Sequence, residues 1–211
     1  MSELKYKRIM LKVSGEALAG PAHRGLDFQV INSVCRAIKE CTQLGVQVGL
    51  MVGAGIPYGN STDMPFEKSF YAGGANGMWG WQFRELGPGT FNNPDNLNIE
   101  RIGDIQLEFN LEYRFPIYSF IKGAVFTDIG NIWTMRENET FKGGQFKFNT
   151  FYKQLAADAG IGIRLDFSFF LFRLDAAAPM VNPAYPEGER WRISKLRFSD
   201  FILNFGIGYP F

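Results

Sequence analysis

The residues closest to a known chemistry lie near the start of the chain, where Lys12-Val-Ser14-Gly15 follows an apolar stretch at 8–13. A turn at the end of a strand presents backbone N–H groups that bind anions, and the Lys12 ammonium adds a positive charge. One interpretation of Lys12, Ser14 and Gly15 is therefore a phosphate site. A plain strand followed by a turn is the other, because the pattern is short.

Residues that commonly act as nucleophiles or bases are scarce. The single histidine, His23, and both cysteines, Cys35 and Cys41, lie in the first 41 residues. Six positions correspond to about 600° around a helix, so we do not expect a disulfide between Cys35 and Cys41. No nucleophile and base occur later at a catalytic spacing. We therefore predict no enzyme, no metal site and no cofactor.

The chain changes character near residue 53. Of its 33 aromatic residues (21 Phe, 8 Tyr and 4 Trp), only Tyr6 and Phe28 precede residue 54. This contrast predicts two domains, 1–53 and 54–211. The formal net charge of +1 gives no electrostatic reason to expect nucleic acid as a partner.

The first domain is predicted to be a short βαβ segment. Apolar stretches at 8–13 and 46–52 are typical of buried strands, and Asp27 can cap a helix that ends near Leu44. Two strands joined through a helix normally lie parallel in a sheet.

The amino-acid sequence of this segment resembles the start of bacterial UMP kinase over residues 6–18 and 45–50. The resemblance implies that Lys12, Ser14 and Gly15 contact phosphates. No later segment resembles the acceptor site or the nucleotide-base pocket, so phosphoryl transfer would have no second substrate to position. Residual phosphate binding is the most that this resemblance implies.

The second domain contains three stretches, at 105–115, 157–169 and 201–211, in which apolar residues alternate with polar or glycine residues. A period of two predicts strands with one apolar and one polar face. In a soluble sandwich the apolar face would form the core, whereas in an outer-membrane barrel it would face lipid. Runs of about ten residues suit a tilted membrane strand, but one segment alone leaves both interpretations open.

Connection lengths favour the membrane barrel. A short turn containing Pro116 and a shorter one near residue 168 alternate with long connections at about 57–100, 135–150 and 179–195. Membrane barrels have short periplasmic turns and long extracellular loops. With the strand near 46–56, the sequence predicts six antiparallel strands of a transmembrane β-barrel.

Six strands are too few to close such a barrel, which needs about eight or more. We therefore expect a fragment, a fusion, or a chain that requires missing barrel strands or a partner edge. No secretory signal opens the sequence, and no apolar run is long enough for a membrane helix. Cytoplasmic retention is thus the alternative to an outer-membrane location.

Residues 57–61 and 64–81 resemble the long sixth extracellular loop of the BamA/TamA outer-membrane assembly family, of the bacterial surface antigen type. Residues 126–133 and 204–211 are similar to later strands of that family. The resemblance over 54–211 implies a barrel that inserts or translocates other proteins in the outer membrane. Its partners would be outer-membrane lipid, client barrel proteins and subunits of the assembly machinery.

The resemblance also implies site residues. In the family, an Arg-Gly-aromatic motif at the loop tip meets an acidic residue of the barrel wall. Here Trp79, Gly80 and Trp81 occupy the loop tip, with Trp79 in place of the arginine, and Asp128 matches the wall acid. Asp128 would then lose a charge-assisted contact worth about 1.5–3 kcal/mol. Arg84 and Arg101 are candidates to replace that contact.

The end of the chain is the second implied site. In the family, the C-terminal strand is recognised by the assembly machinery and pairs with the first strand to form a lateral seam. The matching residues are Asn204, Phe205, Gly206, Ile207, Gly208, Tyr209, Pro210 and Phe211.

Three alternatives stay open at this point. A UMP-kinase fragment would bind nucleotide phosphate, and a gene fusion would have no function because its two parts belong to different compartments. A soluble β-sandwich binding module would need its odd-numbered apolar faces buried against a second sheet.

Overall fold

The computed structural model describes residue 36 and residues 46–57, 64–92, 99–137, 139–167 and 170–208. The predicted strand at 8–13, the predicted helix before Gly45 except for Arg36, and the phosphate-site candidates Lys12, Ser14 and Gly15 lie outside these residues.

Six strands form one antiparallel sheet in which neighbours in sequence are neighbours in space. The strands are β1 (Val46–Ala54), β2 (Ile105–Tyr118), β3 (Ile121–Trp133), β4 (Ala156–Asp166), β5 (Leu171–Val181) and β6 (Ile202–Ile207). This up-and-down order confirms the predicted all-β architecture of six antiparallel barrel strands. Among the described residues, β1 and β6 each pair on one side only.

β1 was predicted twice, as the last strand of the βαβ segment and as the first barrel strand. It pairs antiparallel with β2 from Val46 opposite Tyr113 to Ala54 opposite Ile105. It therefore belongs to the six-stranded sheet. Its predicted parallel partner at 8–13 lies outside the described residues.

The strand connections alternate in length. Ser119 and Phe120 alone separate β2 from β3, and residues 167–170 separate β4 from β5. Pro116, predicted to lie in the first of these turns, instead lies within β2 opposite Lys122, next to a β-bulge. The other connections are 55–104, 134–155 and 182–201. They contain the short 3-10 helices Phe66–Lys68, Phe151–Gln154, Glu187–Glu189, Ile193–Lys195 and Phe198–Asp200.

The two faces of the sheet are reversed relative to a soluble protein. Apolar side chains on one face are exposed, whereas charged and amide side chains on the other are almost completely buried. Exposed apolar residues include Leu50, Val52, Ile161, Leu174, Leu203, Phe205 and Ile207. Buried polar residues include Gln106, Glu108, Asn110, Glu112, Asp128, Asp158, Arg164, Arg173 and Asp175. Among the described residues, no second sheet covers the apolar face as the sandwich alternative would require.

Candidate functional site

The first long connection folds onto the polar face of the sheet. Its described parts, 64–92 and 99–104, are braced by two isolated β-bridges, Phe70 with Gly103 and Ala72 with Leu86. An irregular segment leaves backbone groups without regular partners, and burial makes an unpaired group costly. The strands provide those partners.

Amide side chains of β2 and β3 hold the backbone of this connection. Gln106 Nε2 donates to the carbonyl of Tyr71 at 3.0 Å, and Asn110 Nδ2 donates to the carbonyl of Gly77 at 3.1 Å. Asn131 Nδ2 donates to the carbonyl of Gly89 at 2.9 Å. Hydrogen bonds therefore hold the connection at several points along its length and not only at its tip.

The loop tip, Trp79-Gly80-Trp81, meets two acidic residues of the sheet. The backbone N–H of Trp79 donates to Asp128 Oδ2 at 3.3 Å, and that of Gly80 donates to Asp158 Oδ2 at 2.9 Å. Asp128 and Asp158 lie directly opposite each other on β3 and β4. The structure thus brings the predicted loop tip and the predicted wall acid together, through the backbone of the tip.

The indole of Trp79 is completely buried. It packs edge-on against Phe126, with ring centroids 4.1 Å apart. The guanidinium carbons of Arg164 and Arg173 lie 5.6 and 5.4 Å from the indole ring. Both distances are within the range of a cation–π contact, which is stronger for tryptophan than for other rings and stronger when desolvated.

Gly80 has no space for a side chain. A Cβ at this position would lie 2.5 Å from the Cβ of Asp158. Trp81 packs in a separate hydrophobic cluster with Ala72, Met78, Leu86, Ile132 and Ala156. Glycine is therefore required for the tip to approach β4 closely enough for the Gly80 N–H to reach Asp158.

The arginines beside Trp79 belong to a buried network of charges. Arg164 Nε donates to Glu112 Oε1 at 2.8 Å, and Arg164 Nη1 donates to Asp175 Oδ1. Arg114 pairs with the other oxygen of Glu112 at 2.6 Å. A buried charge is tolerated when it is paired and hydrogen-bonded, so this network keeps Arg164 in place beside the indole.

Arg173 links the network to the loop. Its Nη2 donates to the carbonyl of Ala75 at 2.7 Å and to Oδ1 of Asn76 at 2.6 Å. It also lies 3.7 Å from Asp175. The same side chain thus binds the backbone leading to the tip and contacts the ring of Trp79.

The predicted C-terminal site divides between the two faces of the sheet. Asn204 Nδ2 donates to the carbonyl of Trp79 at 2.8 Å. A Cβ at Gly206 would lie 2.7 Å from Nε of Arg173, so Gly206 also faces the polar side. Phe205 and Ile207 are exposed on the apolar side. The N–H of Gly208 donates to Leu171 at 2.8 Å, and Tyr209, Pro210 and Phe211 lie outside the described residues.

A family model described as the Omp85 superfamily domain matches residues 26–211. The chain belongs to the Omp85 superfamily. Omp85 proteins are outer-membrane proteins that assemble, insert or transport other proteins and are not enzymes. This membership agrees with the exposed apolar face and the buried polar face of the sheet.

The Omp85 match begins inside the segment that resembles UMP kinase. The phosphate contacts of Lys12, Ser14 and Gly15 stay a prediction. No helix in the described ranges is long and apolar enough to cross a membrane. The same ranges contain no group of three or more His, Cys, Asp or Glu side chains that could hold a metal ion.

Arg84 and Arg101, the candidates to replace the loop-tip arginine that the BamA/TamA resemblance implies, have other contacts. Arg84 forms an ion pair with Glu100, and its guanidinium lies 4.7 Å from the ring of Phe66. Arg101 lies over Phe91 at 5.6 Å. Burial lowers the pKa of Arg101, and the charge of Glu85 partly offsets this effect.

Sequence reasoning named Asp128 and Asn204 but missed three other residues around the loop tip, Asp158, Arg164 and Arg173. Arg164 and Asp158 occupy polar positions of the alternation at 157–169, so their orientation could be predicted. Arg173 lies outside the three alternating stretches, so its orientation was not predicted. Their contacts depend on strand register and on the path of a loop about 80 to 100 residues earlier, as for Gly80 with Asp158 and Asn76 with Arg173.

Proposed function

We propose that this chain acts as a BamA/TamA-type insertase in which β6 is the seam strand for client proteins. The proposal rests on the hydrogen bond that Asn204 Nδ2 donates to the carbonyl of Trp79. It ties an edge strand to the loop tip, which is itself held by Asp128 and Asp158. The tip therefore orients β6 from the lumen side.

The outer edge of β6 provides the backbone groups with which a client strand would pair. β6 pairs with β5 from Ile202 opposite Ala177 to Ile207 opposite Phe172, and among the described residues its other edge has no partner. An unpaired backbone group in hydrocarbon costs several kcal/mol. An incoming client strand can pair with these groups by β-augmentation, and so can a further strand of the barrel.

Fractionation of the native host is the first requirement. The full-length polypeptide is expected in the outer membrane with the strands that complete its sheet. Recovery only as a cytosolic aggregate would contradict the proposal and favour a fusion product without function.

Site-specific photo-crosslinking then tests the seam. A photoreactive phenylalanine analogue at Phe205 on β6 is compared with one at Ile161 on the central strand β4. The two positions are matched, because both side chains are exposed on the apolar face, by 60% and 65%. The probe is a pulse-labelled barrel protein of the host outer membrane, recovered with its own antibody.

Crosslinks from Phe205 to the newly made barrel protein, without crosslinks from Ile161, are the expected result. Equal crosslinking from both positions would indicate collision in the membrane and would overturn the proposal. Absence of crosslinks from Phe205, with the protein in the outer membrane, would also overturn it.

A further inference from the structure

The connection between β5 and β6 contains a basic, aromatic segment at residues 190–198. Its sequence is Arg-Trp-Arg-Ile-Ser-Lys-Leu-Arg-Phe, with four basic residues and no acidic residue. Trp191, Ile193 and Phe198 are exposed by 67%, 54% and 96%. Interleaved cations and exposed aromatic or aliphatic side chains are typical of a surface that binds anionic lipid.

The depth of this segment follows from the length of β5. β5 has 11 residues, Leu171–Val181, and a tilted strand of about 9–11 residues crosses the hydrocarbon of a bilayer. Val181 is therefore at the hydrocarbon boundary, on the side of the long connections. Trp191 forms a β-bridge with Val181, and the N–H of Arg192 donates to Met180 at 2.8 Å. The segment starts at the level of the lipid headgroups.

The register also places Trp191 on the lipid side. Residues directly opposite each other in an antiparallel pair share a face. Ile129 lies opposite Ala157, Ala157 lies opposite Val181 just past a β-bulge between β4 and β5, and Val181 forms an isolated bridge with Trp191. The neighbouring pair, Asp128 and Asp158, faces the loop tip on the polar side. Trp191 therefore belongs to the apolar outer face.

The basic side chains divide into two groups. Arg190 donates to the backbone carbonyls of Tyr185 and Lys153, and Arg192 lies over the ring of Tyr185 at 4.3 Å. Lys195 is half exposed and lies 3.9 Å from Glu189, which is a weak surface pair, and Arg197 is exposed. Arg190 and Arg192 thus stabilise the conformation of the segment. Lys195 and Arg197 present positive charge to the membrane surface.

We propose that residues 190–198 bind a lipid whose phosphate-bearing headgroup carries a net negative charge, in the leaflet that faces the long connections. Lys195 and Arg197 contact the headgroup, and Trp191, Ile193 and Phe198 contact its acyl chains. The site lies immediately before β6, so it places a lipid next to the start of that strand. The inference needs an outer-membrane location but does not depend on insertase activity.

Trp191 provides a direct spectroscopic test. The four tryptophans are Trp79, Trp81, Trp133 and Trp191, and the first three are buried. The full chain, extracted from the outer membrane with whatever strands accompany it, is titrated in detergent with short-chain phosphatidylglycerol brominated in its acyl chains. The part of the quenching that is present in the wild type and absent in Trp191→Phe comes from this site alone.

Half-maximal quenching is expected at a much lower concentration of brominated phosphatidylglycerol than of brominated phosphatidylcholine, which has the same chains but no net charge. Replacing Lys195 and Arg197 together by Gln removes two charges and should raise the phosphatidylglycerol midpoint about 30-fold. Inorganic phosphate alone should not compete at millimolar concentration.

The matched control replaces Lys142 and Lys147 by Gln, because both are exposed lysines on another long connection. This control should leave the midpoint unchanged. Equal midpoints for the two lipids, or equal effects of the two double variants, would overturn the proposal. Absence of quenching at Trp191 by either lipid would also overturn it and would favour a protein as the occupant.

Discussion

At the scale of single residues, Trp79 reverses the expected chemistry of the loop tip. The resemblance implied that an arginine of the loop meets an acid of the wall in related proteins, with Trp79 in the arginine's place here. In this chain the cations Arg164 and Arg173 come from the wall and the aromatic ring comes from the loop. Asp128 accepts hydrogen bonds from the Trp79 backbone and from Asn110, so it has partners without the arginine.

Trp79→Arg is therefore expected to destabilise the protein. It would remove a buried indole and place a third guanidinium next to Arg164 and Arg173. The free energy of unfolding should fall by about 3–5 kcal/mol, the range for truncation of a large buried aromatic side chain. The measurement is the temperature at which the folded band disappears on unboiled gels of the detergent-extracted protein.

Trp79→Phe is the control, because it keeps an aromatic face for both arginines and should cost clearly less. A gain in heat resistance for Trp79→Arg would show that Asp128 is the partner of an arginine at this position. The cation–π interpretation would then be wrong.

Gly80 gives a second prediction at this scale. In Gly80→Ala the new Cβ would lie 2.5 Å from the Cβ of Asp158, so the tip must move away from β4. Overpacking of this kind costs about 1–3 kcal/mol. Proteolysis of the 64–92 connection in intact outer membranes should become faster. Gly188→Ala is the control, because a Cβ there has no atom within 4 Å, and an equal change in both variants would contradict the prediction.

At the scale of the strands, the sheet is stabilised on its polar face by paired charges and loop contacts. β2, β4 and β5 provide Glu112, Arg164 and Asp175, which lie together although they occupy different strands. Their removal from water is compensated only while all three are present. The register of these strands is therefore fixed by charge pairing as well as by backbone hydrogen bonds.

Arg164→Met should be strongly destabilising because it leaves Glu112 and Asp175 buried without this partner. The expected loss is about 3–5 kcal/mol in urea unfolding of the detergent-extracted protein. Lys122→Gln is the comparison, since Lys122 pairs with Asp166 at 2.7 Å where both are partly exposed, and should cost at most about 1 kcal/mol. Similar losses for the two variants would refute the buried-network account.

The apolar face of β4 gives a prediction that separates lipid from water. Ile161 is in the middle of β4 and is 65% exposed. A lysine on the lipid face of a barrel costs about 2–4 kcal/mol at the bilayer midplane. Ile161→Lys should therefore lower stability in lipid vesicles.

Phe148→Lys is the matched control, because Phe148 is exposed on the 134–155 connection, and its effect should stay within about 0.5 kcal/mol. Equal stability of the Ile161 and Phe148 variants in vesicles would mean that this face of β4 meets water. That result would contradict the membrane orientation of the sheet.

At the scale of the whole molecule, the described strands form one open six-stranded sheet. β1 and β6 both have an edge without a partner among the described residues, and the loop tip connects to β6 through Asn204. The proposed lipid site at 190–198 lies just before the same strand. The loop contact from the lumen and the lipid contact from the membrane thus both act on β6.

The strands, their two faces and the alternating lengths of their connections could be predicted from the sequence. Period-two patterns are local, because neighbouring side chains on a strand point to opposite faces whatever the strand pairs with. The same pattern indicated that Asp158 and Arg164 face one side and Ile161 the other. Motifs at 64–81, 126–133 and 204–211 were sufficient to indicate the kind of protein.

Which polar residues contact one another could not be predicted from local patterns. Arg164 reaches Glu112 and Asp175, which are 52 and 11 positions away, and Gly80 reaches Asp158 across 78 positions. These distances are set by strand register and by the path of a long irregular loop, which no local pattern contains. The replacement of a loop arginine by Trp79 therefore looked like a loss in sequence and is a different contact in the folded chain.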